Sequence, residues 1–251
     1  MLTRRVIPCL DTRDGRVVKG VNFQGLRDAG APAVLAHAYD AGGADELVLL
    51  DVTATPEGRT NALQTVREVR AVLTIPLTVG GGVRSIADAE ALLTDGADKV
   101  AVNTAALETP SLLAALATRF GRQCITLAID AASDGHGGWQ VFSRSGTTAT
   151  ARDAVAWARE AEQLGAGEIL LTSIDRDGTR QGFDVALVRA VSSQVRLPVI
   201  ASGGARTAED LFRAIEAGAD AVLAASMFHD GDTTVCAVKD YLASRGVEVR
   251  R

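Results

Sequence analysis

The chain has 251 residues, of which 47% are hydrophobic and 23% charged, and its formal net charge is −5. These values are close to those of globular proteins and argue against a disordered chain, and the negative charge argues against a nucleic-acid partner. No apolar run approaches the roughly 18 residues that a membrane span needs, so we expect no membrane association.

Eight short apolar runs recur along the chain and predict β-strands. Most are rich in Val, Ile and Leu without strict alternation, which is typical of parallel strands covered on both faces. The N-terminal apolar run is too short for a signal peptide core. The predicted strands cover residues 5–10, 46–52, 75–80, 98–102, 124–129, 167–173, 197–202 and 220–225.

The segments between these runs are rich in Ala and Leu and have the spacing of helices. In residues 85–95 the side chain of Ser85 can cap the helix start and Gly96 can end it, and residues 207–218 repeat the design with Thr207 and Gly218. Eight strands that alternate with helices in a chain of this length favour a (β/α)₈ TIM barrel. An open, doubly wound sheet is the alternative.

An internal repeat distinguishes the two folds. Residues 75–84 align with residues 197–206 at an offset of 122, and the same offset relates residues 96–100 to 218–222 and 43–47 to 165–169. The repeat predicts two half-barrels, about 1–120 and 121–251, that close into one domain over residues 1–251. The long connection 131–150 interrupts the alternation of strands and helices. Its Gly-Gly before Trp139 predicts a hairpin.

Glycine pairs follow two predicted strands at equivalent positions of the repeat. Glycine lets backbone N–H groups approach a phosphate closely. Each pair lies beside a second strand end, which gives a first glycine site (Gly81, Gly82, Asn103, Thr104) and a second glycine site (Gly203, Gly204, Ala225, Ser226). Both sites fall at the carboxyl ends of barrel strands, where barrel enzymes have their active sites. A ligand with a phosphate at each end would span the barrel mouth.

Asp11 and Asp130 end the first and fifth predicted strands and correspond to each other in the repeat. Two carboxyl groups that face each other across a substrate could act as general acid and general base. Alternatively, each could cap a loop or pair with a cation such as Lys19.

Four charged residues lie at the opposite, amino ends of strands: Arg5, Glu46, Lys99 and Glu168. Helix caps or exposed ion pairs would explain each one alone. Two cations and two anions on four strands could instead meet across the floor of the barrel.

The cysteines and histidines indicate neither a metal site nor a cofactor. Cys9, Cys124 and Cys236 have no CxxC spacing, so free thiols and a cytoplasmic location are expected. His37, His136 and His229 show no paired ligand spacing, and the glycine-rich segment lacks the dinucleotide fingerprint.

Together these segments are similar to the cyclase subunit of imidazole glycerol phosphate synthase. The resemblance runs over nearly the whole chain and is strongest in CLDTRDGRVVKG (residues 9–20), NF (22–23), LRDAG (26–30), TVGGG (78–82), DKVAVNT (98–104) and TSIDRDGT (172–179). It implies a barrel enzyme of histidine biosynthesis that needs no cofactor. The implied reaction converts ammonia and a phosphoribulosyl formimino aminoimidazole carboxamide ribonucleotide to imidazole glycerol phosphate and an aminoimidazole carboxamide ribonucleotide.

The resemblance also assigns roles to residues. It implies that Asp11 and Asp130 are the acid–base pair, with Asp11 the more indispensable. The residues implied to orient the substrate are Lys19, Asp51, Ser145 and Thr172. Those implied to hold its phosphates are Gly82, Asn103, Thr104, Asp177, Gly178, Gly204, Ala225 and Ser226.

A partner is implied as well. In the family a separate glutaminase subunit docks at the amino face and supplies ammonia through the barrel. Arg5, Glu46, Lys99 and Glu168 match the family's charged gate, and Asp98 would lie at the subunit interface. Because no glutaminase segment occurs in this sequence, we expect a heterodimer.

Two other functions remain open. The sister isomerase of the same pathway shares the paired aspartates and phosphate sites but needs no ammonia gate. A catalytically silent barrel could bind phosphorylated ligands or serve as a scaffold for a glutaminase, although Asp11, Lys19 and Asp130 argue against it.

Overall fold

The computed structural model describes residues 3–21, 24–55, 57–58 and 60–251, and for residues 19–21 and 24–27 only the backbone is described. The strands are β1 (Arg5–Arg13), β2 (Arg16–Val21), β3 (Gln24–Gly30), β4 (Leu47–Asp51), β5 (Leu77–Gly80), β6 (Lys99–Val102), β7 (Ile125–Ser133), β8 (Trp139–Ser143), β9 (Thr148–Asp153), β10 (Glu168–Ser173), β11 (Val199–Ser202) and β12 (Ala221–Ala224). The helices are α1 (Pro32–Ala41), α2 (Leu63–Arg70), α3 (Ile86–Thr94), α4 (Thr104–Glu108), α5 (Ser111–Phe120), α6 (Ala154–Gln163), α7 (Val185–Ser192), α8 (Ala208–Glu216), α9 (Ser226–His229) and α10 (Val235–Ser244). Within this described part, no helix is long and apolar enough to cross a membrane.

Eight of the strands form a closed parallel barrel with helices between them. The order around the barrel is β1, β4, β5, β6, β7, β10, β11 and β12, and β12 pairs with β1 again. The eight predicted strands are all present, so the (β/α)₈ barrel is confirmed. The open-sheet alternative is wrong, because its edge strands would have no such pairing.

The twofold repeat of the sequence is also a repeat of structure. The unit β5–α3–β6–α4 corresponds to β11–α8–β12–α9, with element starts 122 residues apart, from Leu77 to Val199 for example. The predicted caps are confirmed, since the hydroxyls of Ser85 and Thr207 accept the N–H groups of Asp88 and Asp210. Each half thus contributes four strands to one barrel.

Two apolar cores lie inside and outside the strand barrel. The larger one fills the space between the strands and the helices and includes the fully buried Trp157. A smaller inner core fills the barrel interior and consists of Ile7, Cys9, Val48, Leu170, Ile200, Ala221 and Leu223. The inner core separates the charged residues at the floor from those at the mouth.

Antiparallel strands extend the barrel above its mouth at equivalent places in the two halves. The predicted hairpin within 131–150 is confirmed, because β7 continues upward and pairs with β8, which pairs with β9. In the first half β1 pairs with β2 and β2 with β3, an extension that the apolar pattern did not predict. Asn22 and Phe23 of the family motif, and the side chain of Lys19, lie outside the described residues.

Candidate active site

A cavity of about 720 Å³ opens at the carboxyl ends of the barrel strands. Its base is formed by Leu170 and Leu223 of the inner core and by Leu50 and Ala128, which pack against that core. The residues predicted from sequence that line it are Asp11, Asp51, Gly82, Asn103, Thr104, Asp130, Ser145, Thr172, Asp177, Gly178, Gly204, Ala225 and Ser226. The structure therefore brings together every predicted mouth residue whose side chain it describes.

Asp11 lies on β1 at the base of this cavity. Burial, the carboxylate of Asp177 and that of Asp130 raise its pKa to about 7, whereas a hydrogen bond from the Cys9 thiol favours the ionised form. The Cys9 Sγ lies 3.3 Å from the Asp11 Oδ1. A free thiol at Cys9 is expected from the sequence, but this contact is not, although residues two apart on a strand share a face.

Asp130 occupies the matching place on β7, opposite Thr172 of β10 in the strand register. Its pKa is raised to about 7 by burial and by the charge of Asp177. The Asn103 side-chain amide donates to its Oδ2 at 2.9 Å, which opposes the rise. Asp130 is therefore tied directly to a residue of the first glycine site.

Asp177 is a third carboxyl group in this cluster. Burial raises its pKa to about 6, and the N–H of Gly178 partly opposes the effect. Its charge raises the pKa of both Asp11 and Asp130, and Asp177 also lies beside Gly203 of the second glycine site. Among cations whose side chains the structure describes, none forms an ion pair with these three aspartates.

The first glycine site lies against the end of β4. Gly81 has φ +91°, and a Cβ there would stand 2.1 Å from the Asp51 carbonyl oxygen, so no larger residue fits. Asn103 caps α4 in sequence, and Thr104 is the first residue of that helix. Within the described part of the chain, the Asn103 Oδ1 is buried without a hydrogen-bond partner. It is an acceptor available to a ligand donor.

The second glycine site has the same construction. The matching glycine, Gly203, has φ +93°, and a Cβ there would lie 2.7 Å from the carbonyl oxygen of Ser173 at the end of β10. Ala225 precedes α9 and Ser226 begins it, as Asn103 and Thr104 do for α4. The two sites thus lie at equivalent positions on the two half-barrels, with the aspartates between them in the same cavity.

The residues implied to orient a substrate have fixed surroundings. The buried Asp51 accepts the Ala54 N–H at 3.0 Å, and Thr172 is buried at the end of β10. Ser145, at the turn between β8 and β9, donates to the Val52 carbonyl at 3.1 Å. The turn therefore reaches across the mouth to the first half-barrel. The side chain of Lys19, which would complete this set, is not described.

At the opposite end of the barrel, the four predicted floor residues do meet. We refer to Arg5, Glu46, Lys99 and Glu168 as the floor cluster. The Lys99 Nζ lies 2.9 Å from a carboxylate oxygen of each glutamate, and Arg5 contacts Glu46 at 2.9 Å and also pairs with Glu168. Both carboxylates are buried, and the two cations balance them. The juxtaposition is present; its role as a gate stays a prediction.

Asp98 lies at the same end, immediately before β6, and is exposed. Its carboxylate accepts the Leu77 N–H at 2.8 Å and pairs with Arg70 at 3.1 Å. The interface role itself remains a prediction.

Comparison with known proteins identifies the relatives of this chain. Residues 5–234 match the family model described as "Histidine biosynthesis protein". An imidazole glycerol phosphate synthase subunit HisF from Hyphomonas neptunium is 56% identical over 251 residues, which cover 100% of this chain and 99% of the relative. The protein of the same name from Mycobacterium tuberculosis is 56% identical over 255 aligned positions, covering 99% of this chain and 96% of the relative.

The fold and the mouth define a (β/α)₈ barrel enzyme of histidine biosynthesis with its candidate site at the carboxyl ends of the strands. The full-length similarity to the two relatives identifies the family within this class. The chain belongs to the HisF family, the cyclase subunits of imidazole glycerol phosphate synthase. The family expected from the sequence motifs is confirmed.

Proposed function

We propose that this chain uses ammonia to convert the phosphoribulosyl formimino aminoimidazole carboxamide ribonucleotide to imidazole glycerol phosphate and an aminoimidazole carboxamide ribonucleotide. The observation that carries the proposal is the placement of two partly buried carboxyl groups, each with a pKa of about 7, in one cavity between two glycine sites.

The two glycine sites support a substrate with two phosphates. At Gly81 and Gly204 the absence of a Cβ lets the chain turn tightly with positive φ against neighbouring carbonyl oxygens. The backbone N–H groups of such a turn could donate to phosphate oxygens. The ribonucleotide carries a phosphate at each end. Its two ends would be held in the two half-barrels, with its reacting centre over Asp11 and Asp130.

Asp11 and Asp130 would divide the acid and base roles. At neutral pH a coupled pair with pKa values of about 7 holds close to one proton, so one carboxyl group can donate while the other accepts. The Cys9 thiol and the Asn103 amide hold the two carboxyl groups in place.

The floor cluster would admit ammonia into the barrel. It lies on the side of the inner core that faces away from the cavity, and its ion pairs could open for a small neutral molecule. We propose that a glutaminase subunit docks on this face, near Asp98, and supplies the ammonia. The relatives are named as subunits of a synthase, which supports an association of this kind. A cytoplasmic location for both subunits remains a prediction.

The test supplies the purified chain with the formimino ribonucleotide and free ammonia and follows both products by chromatography. We expect imidazole glycerol phosphate to form with ammonia, but with glutamine only after a glutaminase subunit is added. Asp11→Asn should bind the substrate without converting it. Asp240→Asn is the matched control, because Asp240 is exposed on α10 and does not line the cavity.

The other outcomes are distinct. Isomerisation of the preceding ribonucleotide in place of cyclisation would assign the chain to the sister activity. Binding without turnover of either compound, with Asp11→Asn leaving the activation of a glutaminase unchanged, would leave a silent scaffold. Both outcomes contradict the proposal.

A further inference from the structure

The loop between β10 and α7 lies directly against the second glycine site. Gly182 in this loop donates its N–H to the Gly204 carbonyl at 2.8 Å. A Cβ on Gly204 would lie 2.9 Å from the Cβ of Arg176 in the same loop. The loop is therefore fixed in place beside the second glycine site, and Arg180 within it lines the cavity.

Arg180 has an unusual backbone conformation. Its φ of +60° lies in the left-handed region, which an L-residue with a long side chain rarely adopts. Such strain is maintained where the surrounding structure enforces it, and it is concentrated at functional sites. The strained backbone therefore makes the Arg180 side chain a candidate for a functional role in addition to those assigned above.

The guanidinium of Arg180 is held by two carboxylates that follow α9. It lies 3.6 Å from the Asp230 carboxylate and pairs closely with Asp232. Its Nε is buried, and among the described residues that atom has no hydrogen-bond partner. A guanidinium has five N–H donors, so these two contacts leave it with further capacity.

A phosphate in the second glycine site would compete with these carboxylates for the same cation. Ser226 of that site begins α9, and Asp230 ends the same short helix, so the two lie on one continuous segment. Arginine suits planar, charge-assisted recognition of phosphate oxygens. Phosphate and carboxylate are therefore alternative partners for Arg180.

We infer that Arg180 is a positioning residue for the phosphate bound in the second glycine site, and that Asp232 lowers phosphate affinity by competing for its guanidinium. The inference rests on the proposed function. It adds a cation to a site otherwise made of backbone groups and a hydroxyl. It also makes phosphate affinity adjustable through a carboxylate that touches no substrate.

The test compares the wild-type chain with Arg180→Gln and Asp232→Asn, with free ammonia as the nitrogen source. Arg180→Gln should raise KM for the ribonucleotide about 10- to 100-fold, as loss of a charge-assisted contact predicts, and should change kcat much less. Asp232→Asn should lower KM. Inorganic phosphate, used as a competitive inhibitor, should bind more weakly to the first variant and more tightly to the second.

The two substitutions are expected to change phosphate affinity in opposite directions, which distinguishes this role from a purely structural one. If the Arg180–Asp232 pair only fastened two loops, both substitutions would impair binding in the same direction, and that result would overturn the inference. Arg180→Lys, which keeps the charge, should recover part of the phosphate affinity. Arg119→Gln, which removes an exposed cation paired with Glu90, is the matched control and should change none of these values.

Calorimetric titration of inorganic phosphate tests the inference independently of turnover. Wild-type protein that fails to cyclise, together with opposite shifts in phosphate affinity for the two variants, would contradict the proposed function alone. Normal cyclisation without such shifts would contradict only the role of Arg180. If Arg180→Gln fails to fold, the changes in phosphate affinity of Asp232→Asn and Arg180→Lys still test the inference.

Discussion

The floor and the mouth of the barrel both contain ionisable groups that are buried or partly buried, but the two regions differ in how these groups are compensated. In the floor cluster, each of the two glutamates contacts both a lysine and an arginine, so that two anions meet two cations. At the mouth, Asp11, Asp130 and Asp177 share one cavity, where burial raises the pKa of all three and the charge of Asp177 raises the pKa of Asp11 and Asp130 further. The inner core separates the two regions.

This difference decides what each region can do near neutral pH. Burial lowers the pKa of Arg5, but the carboxylates of Glu168 and Glu46 outweigh it and raise the pKa overall, so the cation is always charged. The mouth aspartates, with pKa values of about 7, change charge within the physiological range. A group that exchanges protons during catalysis needs a pKa near the working pH. Arg5 of the floor therefore keeps its charge, whereas the carboxyl groups of the mouth can exchange protons near neutral pH, as the proposed function requires.

The largest effect that follows is on turnover. Asp11→Asn removes one member of the acid–base pair, and we expect kcat with free ammonia to fall by about 10²- to 10⁴-fold, as general acid–base catalysis typically contributes. Substrate affinity should be nearly unchanged. Steady-state kinetics and equilibrium binding measure the two quantities. If Asp11→Asn has a normal kcat, proton transfer by Asp11 is not needed for turnover, and the functional contrast between mouth and floor is wrong.

The second effect is on stability and applies to the floor. Glu46→Gln leaves Lys99 and Arg5 with one carboxylate in place of two, and removal of one partner from a buried ion pair typically costs about 3–5 kcal/mol. Denaturation by urea should show this loss in the free energy of unfolding. Glu90→Gln removes a carboxylate from an exposed pair and should cost less than about 1 kcal/mol. Equal losses in the free energy of unfolding for the two substitutions would show that the ion pairs of the floor cluster do not stabilise the fold more than an exposed pair does.

Much of this arrangement could be predicted from residue order. The barrel follows from eight apolar runs and the offset of 122, because each run must be covered on both faces. The glycine sites follow from glycines at strand ends, whose backbone role is local. The meeting of Arg5, Glu46, Lys99 and Glu168 was only one possible interpretation, since contacts across a barrel depend on its closure.

Other features depend on tertiary contacts that no local pattern contains. β2 and β3 are not marked by apolar runs, because they lie above the barrel and do not form its wall. The influence of Asp177 on the pair depends on how the loop after β10 folds back over the cavity. Arg180 gave no signal in sequence, because its contacts with the segment after α9 bring together residues about 50 positions apart.

A third prediction also concerns the free energy of unfolding, but here the substitution should raise it, whereas Glu46→Gln should lower it. The pKa of Asp130 is raised from 3.8 to about 7, so the folded state binds the proton more tightly than the unfolded state does. Its contribution to stability is therefore present below about pH 4 and is lost as pH rises to about 7. Asp130→Asn removes this loss and should raise the free energy of unfolding by about 1–4 kcal/mol at pH 8.

The measurement is urea denaturation of the wild type and of Asp130→Asn at pH 5 and pH 8. The advantage of the variant should be larger at pH 8, and the carbonyl oxygen of the introduced side chain could still accept the Asn103 amide. Asp240→Asn, an exposed site, should show no such dependence. A gain that is equal at both pH values would indicate improved packing, not relief of a buried charge.

The smallest effect concerns the coupling within the mouth. Asp177 has a pKa of about 6, so above that pH its charge raises the pKa of Asp11 and Asp130. Asp177→Asn should lower both values and move the pH optimum of kcat to lower pH, by no more than about one unit, which corresponds to about 1.4 kcal/mol. Profiles of kcat from pH 5 to pH 9 would measure the shift. Asp177→Glu keeps the charge and should keep the optimum. If Asp177→Asn lowers kcat without moving the profile, Asp177 serves only to bind or position substrate, and the proton affinity of the pair is set by burial alone.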